Sequence, residues 1–253
     1  MAMHPAFARS DHRPWPYPRR PWAWRQSWRD LLFLHWPVPA AALQPLVPEG
    51  LRVQAFDGTS WVGVVPFRMA GVMRRPLPDL PGVSAFPELN VRLYVEADGK
   101  PGVWFLSLDA TNPLAVWAAR RFFYLPYHRA DIEIAPEGKG FAYEAARRDG
   151  SGARFCARYA PTGKVYEASV GALDRWLTER YCLYAMSPSG RLLRNEVHHV
   201  PWPLQPAEAE VEQNTMLNGF GVKLDGPPLC HFARRIDVVV WSADALSPSR
   251  DAA

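Results

Sequence analysis

Four short turn sequences divide the chain into apolar runs and constrain its fold more than any other feature. Three are Asp-Gly pairs, at Asp57, Asp98 and Asp149, and the fourth is the segment Ser187–Gly190. An Asp-Gly pair between apolar runs is typical of a β-hairpin, because both residues tolerate the positive φ angles of a tight turn. The sequence therefore predicts about ten strands joined mostly by hairpins, in an α+β protein that is mainly antiparallel β.

Two segments have helical periodicity, and a third is ambiguous. The pair Asn112-Pro113 is a good N-cap and first-turn combination, and it predicts a helix over Leu114–Tyr124. A second helix is predicted over Gly171–Arg180. In Glu208–Asn214 the glutamates alternate, but the composition favours a helix. Two or three helices are expected in total, with Asp109 interpreted as a turn residue.

Charge and proline content set residues 1–28 apart as a basic arm rich in Pro, Trp and Arg. Residues 1–30 carry six arginines and two aspartates, which accounts for the whole net charge of +4. We therefore predict an arm at 1–28, one domain at 29–245 and a tail at 246–253, and we expect a chain that begins near Arg29 to fold. The arm's tryptophans are expected to fold back onto the domain, and the alternative is an arm that binds a membrane surface or nucleic acid.

Several protein classes are disfavoured by the sequence. The cysteines form no C-x-x-C pair, and the adjacent His198 and His199 point to opposite faces of a strand, so neither a disulfide framework nor a metal site is expected. No apolar run approaches the ~18–20 residues of a membrane span. The sequence predicts a cytoplasmic protein with no cofactor, no metal, no membrane span and no nucleic-acid partner. A homo-oligomer is possible.

The segment Glu88–Val95 carries the most informative pattern. Because side chains alternate along a strand, Glu88, Asn90, Arg92 and Tyr94 share one face, and the residues between them form an apolar face. One interpretation is a solvated face over an apolar core. The other is the polar interior of a barrel, in which Glu88 and Arg92, about 13 Å apart along the strand, converge on one ligand.

Several motifs together resemble the YqjF-like family, domain of unknown function 2071, over about Leu31 to Trp241. They are Phe33-Leu-His-Trp-Pro37, Val62-Gly-Val-Val-Pro-Phe67, Glu88-Leu-Asn-Val-Arg-Leu-Tyr-Val95, Gly99-Lys-Pro-Gly-Val-Trp-Phe-Leu-Ser-Leu-Asp109, Glu196-Val-His-His199 and His231-Phe-Ala-Arg-Arg-Ile-Asp237. That family looks like a branch of the acetoacetate decarboxylase-like superfamily. The resemblance implies a β cone or barrel around a central pocket.

The decarboxylases of that superfamily use a lysine Schiff base, with a Gly-Phe-Pro-Lys-Lys stretch after a helix. In the matching stretch of this chain, Tyr127 stands where the nucleophilic lysine would be, and His128 stands where its cationic neighbour would be. A phenol forms no imine, and the chain's four lysines are expected to be exposed. Glu88 resembles a pocket glutamate of the decarboxylases. Schiff-base decarboxylation is therefore not expected.

Three functions remain open from the sequence. The first is a pocket that binds a small carbonyl- or carboxylate-containing metabolite through Glu88, Asn90, Arg92 and Tyr127, without Schiff-base catalysis. The second is a non-imine lyase or hydratase that uses Glu88, Tyr127 and His128 as acid–base groups. The third is an interaction protein that acts through its basic arm. For the first two, we expect Glu88 and Arg92 to face one interior pocket with Tyr127 at its wall.

Overall fold

The computed structural model describes residues 3–77 and 84–246, so the predicted tail, apart from Leu246, lies outside the described residues. The described residues form a sheet of thirteen strands. The strands are β1 Trp24–Val38, β2 Arg52–Val53, β3 Ser60–Arg74, β4 Phe86–Ala97, β5 Lys100–Ala110, β6 Tyr127–Glu137, β7 Gly140–Arg147, β8 Arg154–Pro161, β9 Cys182–Met186, β10 Leu192–His198, β11 Leu204–Asn214, β12 Leu229–Val240 and β13 Asp244–Ala245. The α-helices among these residues are α1 Ala40–Leu43, α2 Pro113–Phe122 and α3 Leu173–Thr178.

The sheet curves round and nearly closes on itself. Strands run in the order β13-β10-β9-β5-β6-β7-β8-β11-β12-β1-β3-β4-β2, and a further pairing of β4 with β5 joins two distant members of that series. Most neighbours are antiparallel, but β5 runs parallel to both β6 and β9. The α+β, mainly antiparallel prediction is confirmed, and α2 makes the crossover between the parallel strands β5 and β6.

Three of the four predicted hairpins are present. The turns at Asp98, Asp149 and Ser187 join β4 to β5, β7 to β8, and β9 to β10. The turn at Asp57 forms as well, but it closes only a single bridge between Phe56 and Thr59. The strand before it, β2, pairs with β4 instead of β3. The Asp-Gly pair thus predicted the turn correctly, but it did not predict which strand β2 would pair with.

The two faces of the sheet pack into two large apolar clusters. One contains Leu89, Val91 and Leu93 from β4. The other contains Phe67 from β3 and Leu108 from β5. The odd-numbered residues of β4 therefore pack into one cluster, as the alternation predicts, and the even-numbered residues point toward the side of the second. No helix among the described residues is long and apolar enough to cross a membrane.

The N-terminal arm is tied closely to the sheet. Strand β1 begins at Trp24 and pairs with β12 and β3, so residues 24–28, assigned to the arm by the sequence, belong to the sheet. Further out, the buried Arg13 donates to Glu196, and Trp15 Nε1 donates to the same carboxylate at 2.7 Å. A chain that began at Arg29 would leave Glu196 without these donors and β12 without part of its neighbour. The structure therefore argues against the expectation that such a chain folds unimpaired.

The segment Glu208–Asn214, for which composition favoured a helix, is a strand. It forms most of β11, which pairs antiparallel with β8 and places Glu210 opposite Arg158. Arg158 also forms an ion pair with Glu212. The helix prediction was wrong because cross-strand pairing outweighed the weak helical preference of the glutamates, whose alternation was the correct signal.

We expect Asn112→Ala to lower the free energy of unfolding by about 1 kcal/mol. Asn112 Oδ1 accepts hydrogen bonds from the backbone N–H groups of Leu114 at 3.0 Å and Ala115 at 3.1 Å, so it caps α2 as predicted. Urea denaturation followed by far-UV circular dichroism measures the change. Asn112→Asp retains a capping oxygen and serves as the control. Equal losses in both variants would show that the cap is not what stabilises this end of α2.

Candidate functional site

A cavity of about 480 Å³ opens inside the curved sheet, beneath α2. Its volume lies within the roughly 300–1,000 Å³ range of small-molecule sites. Most of its wall is apolar and aromatic. The polar side chains with a strong bearing on its chemistry are Glu88, Asn90, Arg92, Tyr127, Arg180 and His199.

Strand β4 supplies three of these side chains. Glu88, Asn90 and Arg92 alternate toward the cavity and are only 2%, 6% and 8% exposed, although all three are polar or charged. The solvated-face interpretation of this strand is therefore excluded. Strand β4 pairs with β3 on one side and with β5 on the other, and its polar face lines the cavity instead of the outer surface.

Glu88 and Tyr127 form a buried pair. Tyr127 begins β6, which runs beside β5, so its side chain reaches across β5, and its Oη donates to Glu88 Oε2 at 2.8 Å. Burial raises the pKa of Glu88 to about 8, while the hydrogen bond from Tyr127 lowers it and the charge of Asp109 raises it. Burial likewise raises the pKa of Tyr127, and the neighbouring Glu88 adds to the rise. At neutral pH both groups are therefore mostly protonated and uncharged.

Arg92 is buried without an ionic partner among the described residues. Its Nε donates to Tyr94 Oη at 3.3 Å, and its Nη2 lies 3.5 Å from the carbonyl oxygen of Leu177. The guanidinium also lies over the ring of Phe33, 5.0 Å from its centroid. Gly63 makes room for this arrangement, since a Cβ there would lie 3.1 Å from Arg92 Cγ. These contacts hold the side chain in place but leave its charge uncompensated.

Arg180 is a second buried cation on the same cavity. It follows α3, and its Nε donates to the carbonyl oxygen of Trp176 at 2.8 Å. Its guanidinium packs over the rings of Trp176 and Tyr94, 4.3 Å and 5.0 Å from the centroids. Burial lowers its pKa to about 10, and the charge of Arg92 also lowers it. Its Nη1 donates to Gln54 Oε1, and Gln54 in turn donates to Glu96, whose charge raises the pKa of Arg180. Among the described residues no carboxylate forms a direct ion pair with Arg180.

Four buried polar atoms of residues that line the cavity have no hydrogen-bond partner in the described part of the chain. They are Trp28 Nε1, Asn90 Oδ1, Arg180 Nη2 and Trp202 Nε1. A buried polar group left unpaired costs about 1–3 kcal/mol, so such groups are usually satisfied by water or by a ligand. The unpaired N–H groups, together with the guanidinium groups of Arg92 and Arg180, suit a negatively charged group, whereas the acceptor Asn90 Oδ1 suits a donor such as a hydroxyl group or a water molecule.

His128 does not reach this cavity. It follows Tyr127 on β6, and consecutive strand residues face opposite sides of a sheet. Its Nδ1 lies 3.1 Å from Asp149 Oδ2, beside the bidentate pair of Arg147 with Asp109 at 2.7 and 2.8 Å. Asp109 was interpreted as a turn residue, but it is a buried strand residue held by this ion pair. Of the three candidate acid–base groups, only Glu88 and Tyr127 meet.

The lysines lie elsewhere. Lys100 is half-buried and pairs with Glu196 at 3.0 Å, contrary to the expected exposure. Lys139, Lys164 and Lys223 are exposed, as expected. None of the four lines the cavity.

The two adjacent histidines point in opposite directions, as the strand pattern indicates. His199 lines the cavity, whereas His198 contacts the N-terminal arm through Phe7 and His12. No group of three or more possible metal ligands occurs among the described residues. From the sequence, His199 was considered only as a metal ligand and as part of a family motif, and Arg180, which ends the predicted second helix with no distinguishing local pattern, was not singled out.

The curved sheet and its central cavity define the class of protein to which this chain belongs. Its fold matches acetoacetate decarboxylase from Legionella pneumophila with a TM-score of 0.61 and 11% identity, covering 98% of this chain and 97% of the other. It also matches the enduracididine biosynthesis enzyme MppR complexed with pyruvate, with a TM-score of 0.61 and 14% identity over 94% and 93% of the two chains. The fold is therefore acetoacetate decarboxylase-like.

Within that fold, the chain belongs to the family of uncharacterized conserved proteins designated domain of unknown function 2071, whose model matches residues 25–237. It is 43% identical to the uncharacterized protein YqjF of Bacillus subtilis (strain 168) over 221 residues, which cover 87% of this chain and 91% of the relative. The resemblance seen in the sequence motifs is thus confirmed.

Proposed function

We propose that this protein binds a small metabolite that carries a carboxylate and a carbonyl group, in its central cavity and without a Schiff base. The observation that carries the proposal is the pair of buried arginines, Arg92 and Arg180, neither of which forms a direct ion pair with a carboxylate among the described residues. A buried charge without a counter-charge is costly, and a ligand carboxylate would supply that counter-charge.

The charges of the cavity favour an anion. Because the pKa of Glu88 is raised to about 8, this residue is mostly protonated and contributes little negative charge at neutral pH. Arg92 and Arg180 then leave the polar wall with two positive charges. Arginine binds carboxylates through paired hydrogen bonds, which suits it to recognition of a planar anion.

The neutral Glu88–Tyr127 pair provides a second polar point, separate from the arginines. Glu88 and Arg92 are four residues apart on β4, or about 13 Å along the strand. Because Tyr127 donates its one proton to Glu88, the free donor of this pair is the protonated carboxyl of Glu88, and a donor suits a carbonyl oxygen. Since the side chains of Glu88 and Arg92 both extend into the cavity, the proposed ligand has its carboxylate at the arginines and its carbonyl on the side of Glu88.

A reaction at this site is the second candidate. A protonated carboxyl near neutral pKa beside a tyrosine suits general acid–base catalysis of a lyase or hydratase type. His128 is outside the cavity, so such an enzyme would use Glu88 and Tyr127 alone. An interaction function of the basic arm is less favoured, because Arg9, Arg13 and Arg20 pair with acidic residues of this same chain.

Known proteins of this fold support the ligand class. One structure of MppR holds pyruvate, a carboxylate with an adjacent carbonyl. Another protein of the fold is named for decarboxylation of acetoacetate, which also has both groups. A cytoplasmic location and a homo-oligomeric state remain predictions for this chain.

Thermal unfolding in the presence of paired ligands tests the proposal. We expect oxo acids to raise the melting temperature and their methyl esters to leave it unchanged, because only the acids offer an anion to the arginines. Ligand at 100 times its dissociation constant stabilises a protein by about 2.7 kcal/mol, which is readily measured. Equal shifts from acids and esters, or no shift from any oxo acid, would contradict the proposal.

We expect borohydride reduction in the presence of oxo acids or diketones to leave the mass of the protein unchanged. No lysine lines the cavity, and Tyr127 offers a phenol that forms no imine. Intact-protein mass spectrometry is the measurement. A reduced adduct on Lys100, Lys139, Lys164 or Lys223 would show that imine chemistry occurs after all.

A further inference from the structure

The cavity is much larger than a small oxo acid requires. An acid of six non-hydrogen atoms would fill at most ~180 Å³, even if each atom took the roughly 30 Å³ of a liquid water molecule. The cavity holds about 480 Å³. A ligand of that size would leave most of the space to water against apolar walls, which is unfavourable.

The unfilled space is apolar. Around it lie Leu31, Val65, Phe67, Phe86, Leu108 and Trp202, all of which belong to the cavity wall. The buried polar groups of the wall lie on β4, at Tyr127 and His199, and at Thr178 and Arg180, whereas Gln26, Ser84 and Arg74 are polar residues of the wall that are partly or largely exposed. The site therefore has one polar region and a longer apolar region, which is the division found in an amphiphile.

The apolar wall reaches the protein surface at α2. Leu114, Trp117 and Phe122 of this helix line the cavity, yet they are 61%, 60% and 46% exposed among the described residues. Leu77 adds a fourth exposed apolar side chain to the same wall. Exposed apolar side chains grouped at one opening usually mark a place where an apolar ligand enters or lies.

We infer that the ligand is an amphiphilic carboxylate, with its acid group at Arg92 and Arg180 and a hydrocarbon chain along the apolar wall toward α2. The inference rests on the proposed function, because it takes the carboxylate at the arginines from there. It adds that most of the affinity comes from the hydrocarbon chain of the ligand. Each buried methylene should strengthen binding about threefold to fourfold.

Calorimetric titration with straight-chain carboxylates of increasing length tests the inference, with all ligands kept below their micelle concentrations. Alcohols of the same lengths are titrated as the uncharged comparison. We expect the dissociation constant to fall threefold to fourfold per methylene until the chain fills the cavity, and each acid to bind more tightly than its alcohol.

Different results would overturn the carboxylate site at the arginines and the apolar site for the hydrocarbon chain. If short and long acids bind equally and all depend on Arg92, the amphiphile inference is overturned and the proposed function stands. If each acid and the alcohol of the same length bind with equal affinity and affinity rises steeply with length, the apolar part is supported and carboxylate recognition is overturned. Absence of binding by every acid would overturn both.

Two substitutions in α2 test where the hydrocarbon chain of the ligand lies. Ala119 is partly buried on the inner side of α2 and lines the cavity, so Ala119→Trp should weaken the longest acid at least tenfold and leave the shortest unaffected. Trp117→Ala should weaken only the longer acids, by about threefold to tenfold. Val170→Ala removes an exposed apolar side chain outside the cavity and should change nothing. Unchanged affinity of long acids in both α2 variants would overturn the placement.

Discussion

Arg92→Leu is expected to weaken binding of oxo acids by about 100-fold or more, and to leave the ligand-free protein at least as stable as the natural one. Loss of one partner of a buried, hydrogen-bonded charge pair costs about 2–5 kcal/mol of binding energy, and every 1.4 kcal/mol is a factor of ten. Arg92 has no ionic partner among the described residues, so its replacement removes a desolvated charge and breaks no ion pair of the described part. Calorimetry and urea denaturation measure the two effects.

Arg191→Leu is the matched control, because Arg191 is exposed and does not line the cavity. It should leave both affinity and stability unchanged. The opposite pattern for Arg92, in which stability falls by several kcal/mol and affinity is unchanged, would mean that this arginine is a structural residue. A substitution in a ligand site typically lowers affinity and raises the stability of the ligand-free protein, because groups that bind a ligand destabilise the fold when no ligand is present.

Glu88→Gln is expected to stabilise the protein by about 3 kcal/mol at pH 7 and to flatten the dependence of stability on pH. The carboxyl of Glu88 loses its proton near pH 4.5 in the unfolded chain and near pH 8 in the folded protein. Between these values the unfolded state binds fewer protons, so the free energy of unfolding falls as pH rises, by about 1.36 kcal/mol per pH unit. Over the whole window the loss is about 5 kcal/mol, and glutamine, which does not ionise, avoids it.

The difference in unfolding free energy between the natural protein and Glu88→Gln, measured by urea denaturation from pH 4 to pH 9, isolates this carboxyl from all others. Tyr127→Phe is the matched control: it removes the hydrogen bond at 2.8 Å but keeps the titrating carboxyl. It should therefore retain the fall of unfolding free energy with rising pH. That fall should continue to a higher pH than in the natural protein, because the lost hydrogen bond lowers the pKa of Glu88. A difference that does not change with pH would show that Glu88 is ionised in the folded state.

Local sequence patterns predicted the parts of this fold that are governed by neighbouring residues. The turns at Asp98 and Asp149 and the cap at Asn112 depend on a few adjacent positions, and each is present. The alternation along β4 placed Glu88 and Arg92 on one face correctly for the same reason. Closure of the sheet through β4 and β5 depends on residues far apart in the chain, and it was accessible only through the family resemblance.

In the candidate site, too, features set by neighbouring residues were predicted and features set by distant residues were not. Tyr127 was found through its place in a family motif, but the same motif suggested His128, which strand alternation turns away from the cavity. Arg180 follows a short helix, and nothing in its neighbours predicts that it packs on Tyr94 and Trp176 beside Arg92. Its role emerges only when α3 and β4 meet, since the burial that makes its charge significant is a property of tertiary packing.

A crystal structure of this protein with a bound oxo acid would show whether the two buried arginines bind a carboxylate. We expect the ligand carboxylate to lie within hydrogen-bonding distance, about 2.7–3.2 Å, of the guanidinium groups of Arg92 and Arg180. We also expect the carbonyl oxygen on the side of Glu88 and Tyr127, with no covalent bond to any lysine. A carboxylate held at the surface, or one inside the cavity with both arginines left unpaired, would contradict the proposal.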